Sequence, residues 1–251
     1  MNRNLGHGRN QPNEAVAIDC GDEGLRGGGV GSMLAVCKVT LAQDETGGRT
    51  VMDRETIGVY DARYQDYADR FSVKEPSDAL LAFVEGLEAG QSVLDLGCGP
   101  GRAARAMAER DLVVTALDAS AGMISLVTGV DGVEAVQADF SWLADQQRRF
   151  HGVWANFSLL HAAEDELDRH LDAIRASLLP PGRLHLGMKT GSGTARDSLG
   201  RRYAYFTRQD LLTRLTARGF RVLAVKQGEE VGLAGQPDPF ILILAEQDYP
   251  E

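Results

Sequence analysis

Short apolar runs alternate with amphipathic segments along the chain from residue 92 onward. The apolar runs predict the strands of a buried sheet, over residues 92–96, 112–117, 133–138, 152–157, 183–188, 221–225 and 240–244. Apolar positions three or four residues apart predict helices between most of these strands, over residues 102–110, 119–127 and 167–178 and from 207 onward. The last two strands lack an intervening helix, which favours an antiparallel hairpin at one edge. The pattern therefore predicts an α/β fold with a doubly wound, seven-stranded, mostly parallel sheet.

Two further helices are predicted ahead of the first strand. One carries aromatic side chains on a single face, at Tyr60, Tyr64, Tyr67 and Phe71. The other begins at Ser77, a residue type that favours helix N-termini, and ends at Gly90. Together they predict a short helical cap that precedes the sheet.

The first 54 residues differ from the rest in composition. Of the 251 residues, the 8 Phe, 6 Tyr and 2 Trp all lie at or after Tyr60, whereas ten of the 29 glycines lie among the first fifty residues. A segment without large apolar side chains cannot bury enough surface to offset its loss of conformational entropy. We therefore predict a disordered leader over residues 1–54, or residues upstream of a true start at Met52, and one compact domain over residues 55–251.

Net charge and cysteine content narrow the class of protein. The 36 acidic and 26 basic side chains give a formal net charge of −10, which argues against binding to a nucleic-acid backbone. No apolar run in the sequence is long enough to span a bilayer. The three cysteines, Cys20, Cys37 and Cys98, cannot all pair with one another and match no metal motif. We therefore expect a cytoplasmic protein without a metal site that binds neither DNA nor membranes.

The most informative motif follows the first predicted strand. It has the pattern DxGxGxG and consists of Asp95, Gly97, Gly99 and Gly101. Glycines at the carboxyl end of a strand let the backbone approach a ligand closely. A dinucleotide fingerprint would require a glycine where Arg102 stands, and a P-loop would require a GK[ST] sequence that is absent. The acidic residue favours a ligand that carries an ammonium group, with a purely structural turn as the alternative.

This motif and later ones resemble those of the class I S-adenosylmethionine-dependent methyltransferases. The resemblance is carried by VLDLGCGPGR at 93–102, ALDAS at 116–120, QADF at 137–140, VWANFSLLH at 153–161 and LLPPGRLHLGMK at 178–189. It covers residues 57–245 and is strongest toward the small-molecule branch of the family. It implies a Rossmann-like fold, a methyltransferase domain over residues 55–251 and S-adenosyl-L-methionine as the cofactor.

The resemblance also implies roles for residues at the ends of the first four strands. Gly97, Gly99 and Gly101 would wrap the amino-acid and ribose portions of the cofactor. Asp95 would orient that region, and Asp118 would accept hydrogen bonds from both ribose hydroxyls. The adenine ring and the methyl donor would be contacted by Ala119, Met123, Asp139, Phe140 and Asn156.

The methyl acceptor is expected over the same edge of the sheet, beneath residues 190–206. Because this segment is long and rich in glycine, we expect a partly ordered lid, with a flexible surface loop as the alternative. Its candidate substrate-binding residues are Arg201, Tyr203 and Tyr205, since arginine pairs with carboxylates and tyrosine packs against rings. His161 is the candidate general base for an acceptor that carries a proton, with a hydrogen-bonded structural role as the alternative.

The leading functional hypothesis is methyl transfer to an unidentified small molecule by a protein of unspecified oligomeric state. The fourth strand ends in NFSL rather than in the [DN]PP[YF] sequence of amino-methylating DNA and protein-glutamine enzymes, which argues against DNA methylation. A catalytically silent, cofactor-binding sensor or scaffold is the alternative hypothesis. Arg102 disfavours a third possibility, a nicotinamide-dependent oxidoreductase.

Overall fold

The computed structural model describes residues 52–70, 76–232, 235 and 237–248. Most of the predicted leader, as well as Phe71, lies outside the described residues. The strands are β1 (Ser92–Leu96), β2 (Val113–Asp118), β3 (Val133–Gln137), β4 (Phe150–Asn156), β5 (Leu178–Lys189), β6 (Gly193–Arg196), β7 (Arg202–Tyr205), β8 (Phe220–Val231) and β9 (Pro237–Gln247).

Helices connect most of these strands. They are α1 (Arg54–Arg70), α2 (Asp78–Val84), α3 (Arg102–Ala108), α4 (Ala121–Val127), α5 (Trp142–Asp145), α6 (Leu167–Ser177) and α7 (Arg208–Ala217). Two single-turn 3₁₀ helices follow β4, at Leu159–His161 and Glu164–Glu166. In the described segments, every helix is too short or too polar to cross a membrane.

The main sheet is mixed and doubly wound. Among the described residues it contains seven strands in the order β3–β2–β1–β4–β5–β9–β8. The first five of these run parallel, whereas β9 is antiparallel to both β5 and β8. The predicted fold class and its antiparallel edge hairpin are therefore confirmed. Because β1 lies between β2 and β4, the winding direction reverses there and leaves a crevice at the carboxyl ends of these strands.

Two apolar clusters cover the two faces of the sheet. Successive residues of a strand contribute to opposite clusters, as Val93 and Leu94 do in β1. The Leu94 cluster packs against α6 and α7 through Leu171, Ile174, Leu211 and Leu215. The Val93 cluster packs against α2, α3 and α4 through Leu80, Phe83, Met107, Ile124 and Val127. Burial on both faces explains why the parallel strands are continuously apolar in sequence.

Residues 190–206 form an ordered hairpin. β6 and β7 pair antiparallel with Gly193 opposite Tyr205, and Thr190 bridges to Phe206. Tyr203 and Ala204 are adjacent and both buried, so both faces of β7 pack against other parts of the protein, and Phe206 is buried directly after the strand. The expectation of a partly ordered lid is therefore wrong, and so is its alternative of a flexible loop.

Helix α1 is tied to this hairpin at its N-terminus. The Asp53 carboxylate accepts hydrogen bonds from the Thr56 backbone (3.0 Å) and hydroxyl (2.6 Å), which caps the helix. The same carboxylate pairs with both terminal nitrogens of Arg196 at 2.8 and 2.7 Å. The Thr56 hydroxyl in turn accepts from the Arg202 backbone at 2.9 Å. These contacts fix the start of the predicted helical cap against β6 and β7.

Candidate active site

A cavity of about 230 Å³ lies in the crevice at the carboxyl ends of β1, β2 and β4. We call it the first cavity. Its walls include nine of the predicted site residues: Asp95, Gly97, Gly99, Asp118, Ala119, Met123, Phe140, Asn156 and His161. The sheet order therefore brings together side chains that are far apart in the sequence.

The Asp95 carboxyl group lies at the end of β1 in the wall of this cavity. It is 2% exposed, and its Oδ2 atom has no hydrogen-bond partner in the described part of the chain. Burial, with a smaller contribution from the nearby Asp118, raises its pKa to about 8. Ser158 Oγ, in the same wall, is also buried without a partner among the described residues. A cationic or hydrogen-bonding ligand would satisfy these groups.

The Asp118 carboxylate is held in place by the glycine turn. Its Oδ2 atom accepts from the Gly99 backbone and its Oδ1 atom from the Ser120 backbone, each at 2.9 Å. Burial raises its pKa despite these hydrogen bonds. Each oxygen retains a further lone pair, so this carboxylate can accept hydrogen bonds from a diol. The Gly99 amide braces Asp118 and is not free to donate to a ligand.

Each of the three positions in the turn holds a glycine for a different structural reason. Gly99 adopts a φ of +52°, and the space that a Cβ would occupy is open. At Gly97 a Cβ would overlap the Ser158 side chain, so glycine permits close approach of the β4 connection. At Gly101, the N-cap of α3, a Cβ would overlap Val127. Gly101 therefore permits helix packing and lies outside the walls of the first cavity.

The far end of the first cavity is apolar. Met123 and Phe140, which are 1% and 4% exposed, face it together with Ala119. Asp139 lies outside its walls and borders a separate small pocket instead. The Asp139 Oδ1 atom accepts from the Ser141 backbone at 2.8 Å, at the start of α5. The resemblance implies that Asp139 contacts adenine, but in the structure its carboxylate binds the backbone of a residue two positions later.

Helix α1 supplies wall residues that the sequence motifs do not identify. Asp61 accepts from the Ser120 hydroxyl at 2.6 Å and from the Gly122 backbone at 3.0 Å, which ties α1 to the start of α4. Tyr64 packs over Gly122. Tyr60 and Tyr67 line the first cavity itself. The only sequence signal for this wall is the aromatic face of the helix.

A second cavity of about 340 Å³ adjoins the first. The two share wall residues, among them Tyr60, Tyr67, Arg102, Asn156, Phe157 and His161. The second cavity is further lined by residues of β5, of the β6–β7 hairpin and of the β8–β9 hairpin, including Lys189, Arg201, Tyr203, Glu230, Asp238 and Phe240. Phe157, at the boundary, has a φ of +56°, which is uncommon for a bulky residue.

The cationic groups of the second cavity are paired. Arg201, which is 2% exposed, donates from Nε and Nη2 to Asp197 Oδ2 at 2.9 and 2.6 Å. Lys189 pairs with Asp238 at 2.5 Å and lies 4.0 Å from the centre of the Tyr203 ring. Arg201 and Tyr203 thus line this cavity, whereas Tyr205 packs beside Tyr203 outside the walls of both cavities. The paired charges make the cavity polar without a strong excess of positive charge.

His161 sits at the boundary between the two cavities. Its Nδ1 atom lies 2.6 Å from the Arg202 carbonyl oxygen, and its Nε2 atom lies 2.7 Å from the Tyr60 hydroxyl. Burial lowers the pKa of His161 to about 4, so the ring is neutral at physiological pH. The predicted general base is therefore hydrogen-bonded on both ring nitrogens.

The Asn156 amide is held at the same boundary by β5. Its Oδ1 atom accepts from His185 Nε2 at 2.9 Å, and a Cβ at Gly187 would overlap this oxygen. The His185 ring stacks on Trp154 with centroids 3.7 Å apart, and burial lowers its pKa to about 3. A neutral, stacked histidine thus orients the amide of Asn156.

Residues 93–182 match a protein family described as a methyltransferase domain. This span contains the glycine turn, Asp118 and the β4 residues that form most of the first cavity. Over these residues the chain is similar to methyltransferase domains. The sheet itself extends beyond the matched span, because β9 and β8 complete it.

One curated relative matches part of the chain. Over 100 residues the chain is 34% identical to a demethylmenaquinone methyltransferase of Clavibacter sepedonicus. The match covers 38% of this chain and 40% of that relative. The chain therefore spans less than half of the relative's length.

Solved structures share the fold of the chain over most of its length. A Burkholderia thailandensis 1,6-didemethyltoxoflavin-N1-methyltransferase, bound to 1,6-didemethyltoxoflavin and S-adenosylhomocysteine, is 24% identical with a TM-score of 0.62, over 81% of this chain and 94% of that one. The [4+2]-cyclase SpnF is 21% identical with a TM-score of 0.55, over 74% of this chain and 83% of that one. Because one of these proteins is named as a cyclase, the shared fold does not by itself define the reaction.

Proposed function

We propose that the protein transfers a methyl group from S-adenosyl-L-methionine to a small-molecule acceptor. The observation that carries the proposal is the buried Oδ2 atom of Asp95 in the first cavity, which has no hydrogen-bond partner among the described residues. A buried carboxyl group without a partner is costly, and the ammonium group of the cofactor would relieve that cost. The second cavity adjoins this site and provides a place for the acceptor.

The residues of the first cavity fit the parts of the cofactor. Asp95 would face the amino-acid portion, and Asp118 would offer two oxygens to the ribose hydroxyls. Ala119, Met123 and Phe140 form the apolar wall for adenine. The bound cofactor would supply a methyl group on a positively charged sulfur. The protein would then act mainly by aligning the acceptor and excluding water.

The walls of the second cavity favour a flat, polar acceptor. The rings of Tyr60, Phe157, Tyr203 and Phe240 line it, and aromatic walls favour planar ligands. Lys189, Arg201 and Asp238 offer donors and acceptors at its edge. The Burkholderia thailandensis methyltransferase is bound to 1,6-didemethyltoxoflavin, which supports this class of acceptor. We propose no role for DNA, since the net charge is −10.

A second candidate function is cofactor binding without methyl transfer. The likeness to the [4+2]-cyclase SpnF favours keeping this alternative, because that protein shares the fold under another named activity. The two candidates predict the same first cavity and differ in whether S-adenosylhomocysteine is formed. We place either function in the cytoplasm, for which the free thiol of Cys98 is the supporting observation.

Titration calorimetry tests the proposed cofactor site. We expect S-adenosylhomocysteine to bind the wild-type chain, and Asp95→Asn to weaken binding at least about tenfold because a charge-assisted contact is lost. The matched control is Asp131→Asn, an exposed acid outside both cavities. Unchanged affinity in Asp95→Asn, or no binding to the wild type, would overturn the proposed site. Release of S-adenosylhomocysteine in a metabolite extract then separates methyl transfer from binding alone.

A further inference from the structure

The hydrogen-bond direction between Tyr60 and His161 is determined by a third group. The His161 Nδ1 atom lies 2.6 Å from the Arg202 carbonyl oxygen. A carbonyl oxygen can only accept, so Nδ1 carries the single ring proton of the neutral imidazole. Nε2 is therefore an acceptor, and the Tyr60 hydroxyl, 2.7 Å away, donates to it.

This direction determines what Tyr60 offers to a ligand. Since its proton points at His161, the phenolic oxygen presents only lone pairs in other directions. Arg201 Nη1 is 3.4 Å from this oxygen, a long contact, and the Tyr67 side chain is also hydrogen-bonded to Tyr60. A donor group on the methyl acceptor would therefore replace the weak Arg201 contact. The ring is held by Tyr67 and His161, with centroids 5.4 Å away in both cases. At the boundary of the two cavities, Tyr60 is thus a fixed hydrogen-bond acceptor.

We propose that the attacking atom of the acceptor carries a proton, as a phenolic O–H or a heterocyclic N–H does, and that Tyr60 is the catalytic residue that receives it. His161 is the positioning residue behind Tyr60 and takes the proton that Tyr60 gives up. This inference rests on the proposed function and narrows its acceptor class. It changes the predicted role of His161 from a direct base to the partner of Tyr60.

Each proton and electron pair has a destination in this step. A lone pair of the acceptor's oxygen or nitrogen forms the bond to the methyl carbon, and the bond from that carbon to sulfur breaks with its electron pair left on sulfur. The acceptor's proton moves to the Tyr60 oxygen while the Tyr60 proton moves to His161 Nε2. The charge gained by His161 equals the charge lost from the methyl donor, so the net charge of the site is unchanged. The proton passes to water when the products leave.

The surroundings keep both groups neutral before transfer. His161 is faced by the titratable and charged side chains of Tyr60, Lys189, Asp197, Arg201 and Tyr203. Burial, together with Arg201 and Lys189, lowers the pKa of His161 to about 4, while burial raises the pKa of Tyr60 well above its ordinary value. We therefore expect kcat, measured with saturating methyl donor, to be level between about pH 6 and about pH 9, because neither group titrates there.

Nitrogen NMR of histidine-labelled protein tests the hydrogen-bond direction without any acceptor. We expect His161, assigned by loss of its signals in His161→Gln, to be neutral with the proton on Nδ1. In Tyr60→Phe the Nε2 resonance should shift, whereas the matched change on the same helix, Tyr64→Phe, should leave it in place. A proton on Nε2, or a ring that titrates near its ordinary pKa of about 6.5, would overturn the proposal.

Turnover assays test the acceptor class. The probes are catechol, 4-hydroxybenzoate and lumazine, whose attacking atoms carry protons, and quinoline and isoquinoline, whose ring nitrogens carry none. We expect S-adenosylhomocysteine to form only with members of the first set. Turnover of quinoline or isoquinoline at a rate equal to or above the best of the first set would overturn the inference. If none of the five compounds reacts, the NMR result decides whether the inference stands.

Two variants separate proton transfer from simple orientation. His161→Gln keeps an oxygen that can accept from Tyr60 but cannot take its proton, and Tyr60→Phe removes the relay. Both should lower kcat at least about 100-fold and leave the affinity for S-adenosylhomocysteine within about threefold. Near-normal kcat in His161→Gln would overturn the relay. Failure of the wild type to bind S-adenosylhomocysteine would instead reject the proposed function, so the two failures are distinguishable.

Discussion

The carboxyl group of Asp95 makes the folded state sensitive to pH before any ligand binds. Burial and the nearby Asp118 raise its pKa from 3.8 to about 8. Between these two pH values the folded chain holds a proton that the unfolded chain releases. The free energy of unfolding therefore falls as pH rises through this window. Above about pH 8 the folded chain carries the full destabilisation that comes from burying the ionised Asp95 carboxylate.

Asp95→Asn should remove this dependence. We expect the variant to raise the free energy of unfolding of the ligand-free protein at about pH 9 and to change it little near pH 4, because an amide has no charge to bury. Denaturant unfolding at the two pH values measures the difference, with Asp131→Asn as the exposed control. The same substitution weakens the proposed cofactor site, so a gain in stability would accompany a loss of affinity. An equal effect of Asp95→Asn at both pH values would contradict this account.

Sequence spacing could predict some site residues because their positions depend on local structure. Asp95 is the penultimate residue of β1 and Asp118 is the last residue of β2, and both strands are recognisable from short apolar runs. The partners of the other polar groups lie far along the chain, since Tyr60 meets His161 across 101 residues and Asn156 meets His185 across 29. Such pairs depend on strand order and helix placement, which no local pattern encodes. Asp139 shows the converse, because its local contact with Ser141 gives it no place in the first cavity.

Elements with strong periodicity were predictable, whereas short ones were not. β1, β2 and α6 follow their apolar patterns closely, whereas β5 begins at Leu178, five residues before its predicted start. β6 and β7 have four residues each, and all four residues of β6 are exposed. A strand of this kind has no apolar alternation to reveal it. β6 is instead held in place by the ion pair between Arg196 and Asp53, the residue directly before α1.

The link between α1 and α4 gives a prediction at the level of elements. Asp61→Ala removes two acceptor contacts at the start of α4, so we expect the free energy of unfolding to fall by about 1–2 kcal/mol. Affinity for S-adenosylhomocysteine should also fall, because Ala119 and Ser120 border the first cavity. Asp61→Asn keeps an oxygen that accepts both hydrogen bonds and should retain most of the stability. Denaturant unfolding and calorimetry compare the two variants, and identical losses in both would show that the charge of Asp61, not its hydrogen bonds, matters.

At the scale of the whole molecule, the two cavities have different origins. The first cavity lies where β1, β2 and β4 end side by side, so its position follows from the doubly wound order of the sheet. The second cavity is enclosed by α1, β7 and the β8–β9 hairpin. Of these elements, α1 and β7 lie outside the main sheet, whereas β8 and β9 form its antiparallel edge. Since α1 also lines the first cavity, a change in this helix would affect both cavities.

The first residues of the described chain line the first cavity and also hold α1 against β6 and β7. Met52 packs against the core and lines the first cavity, and Asp53 and Thr56 tie α1 to β6 and β7. We predict that a chain starting at Met52 binds S-adenosylhomocysteine within about twofold of the full-length chain. A matched chain starting at Gly58, which lacks these tethers, should retain the sheet but bind at least about tenfold more weakly.

Calorimetry gives the affinities of the two shortened chains, and circular dichroism confirms that each one is folded. Weak binding by the folded chain that starts at Met52 would assign a part of the site to residues 1–51. Equal binding by both shortened chains would mean that the N-terminal tethers serve the acceptor cavity alone. The second result would still leave Tyr60 at the boundary of the two cavities, so the loss would then appear in turnover, as a lower kcat at unchanged cofactor affinity.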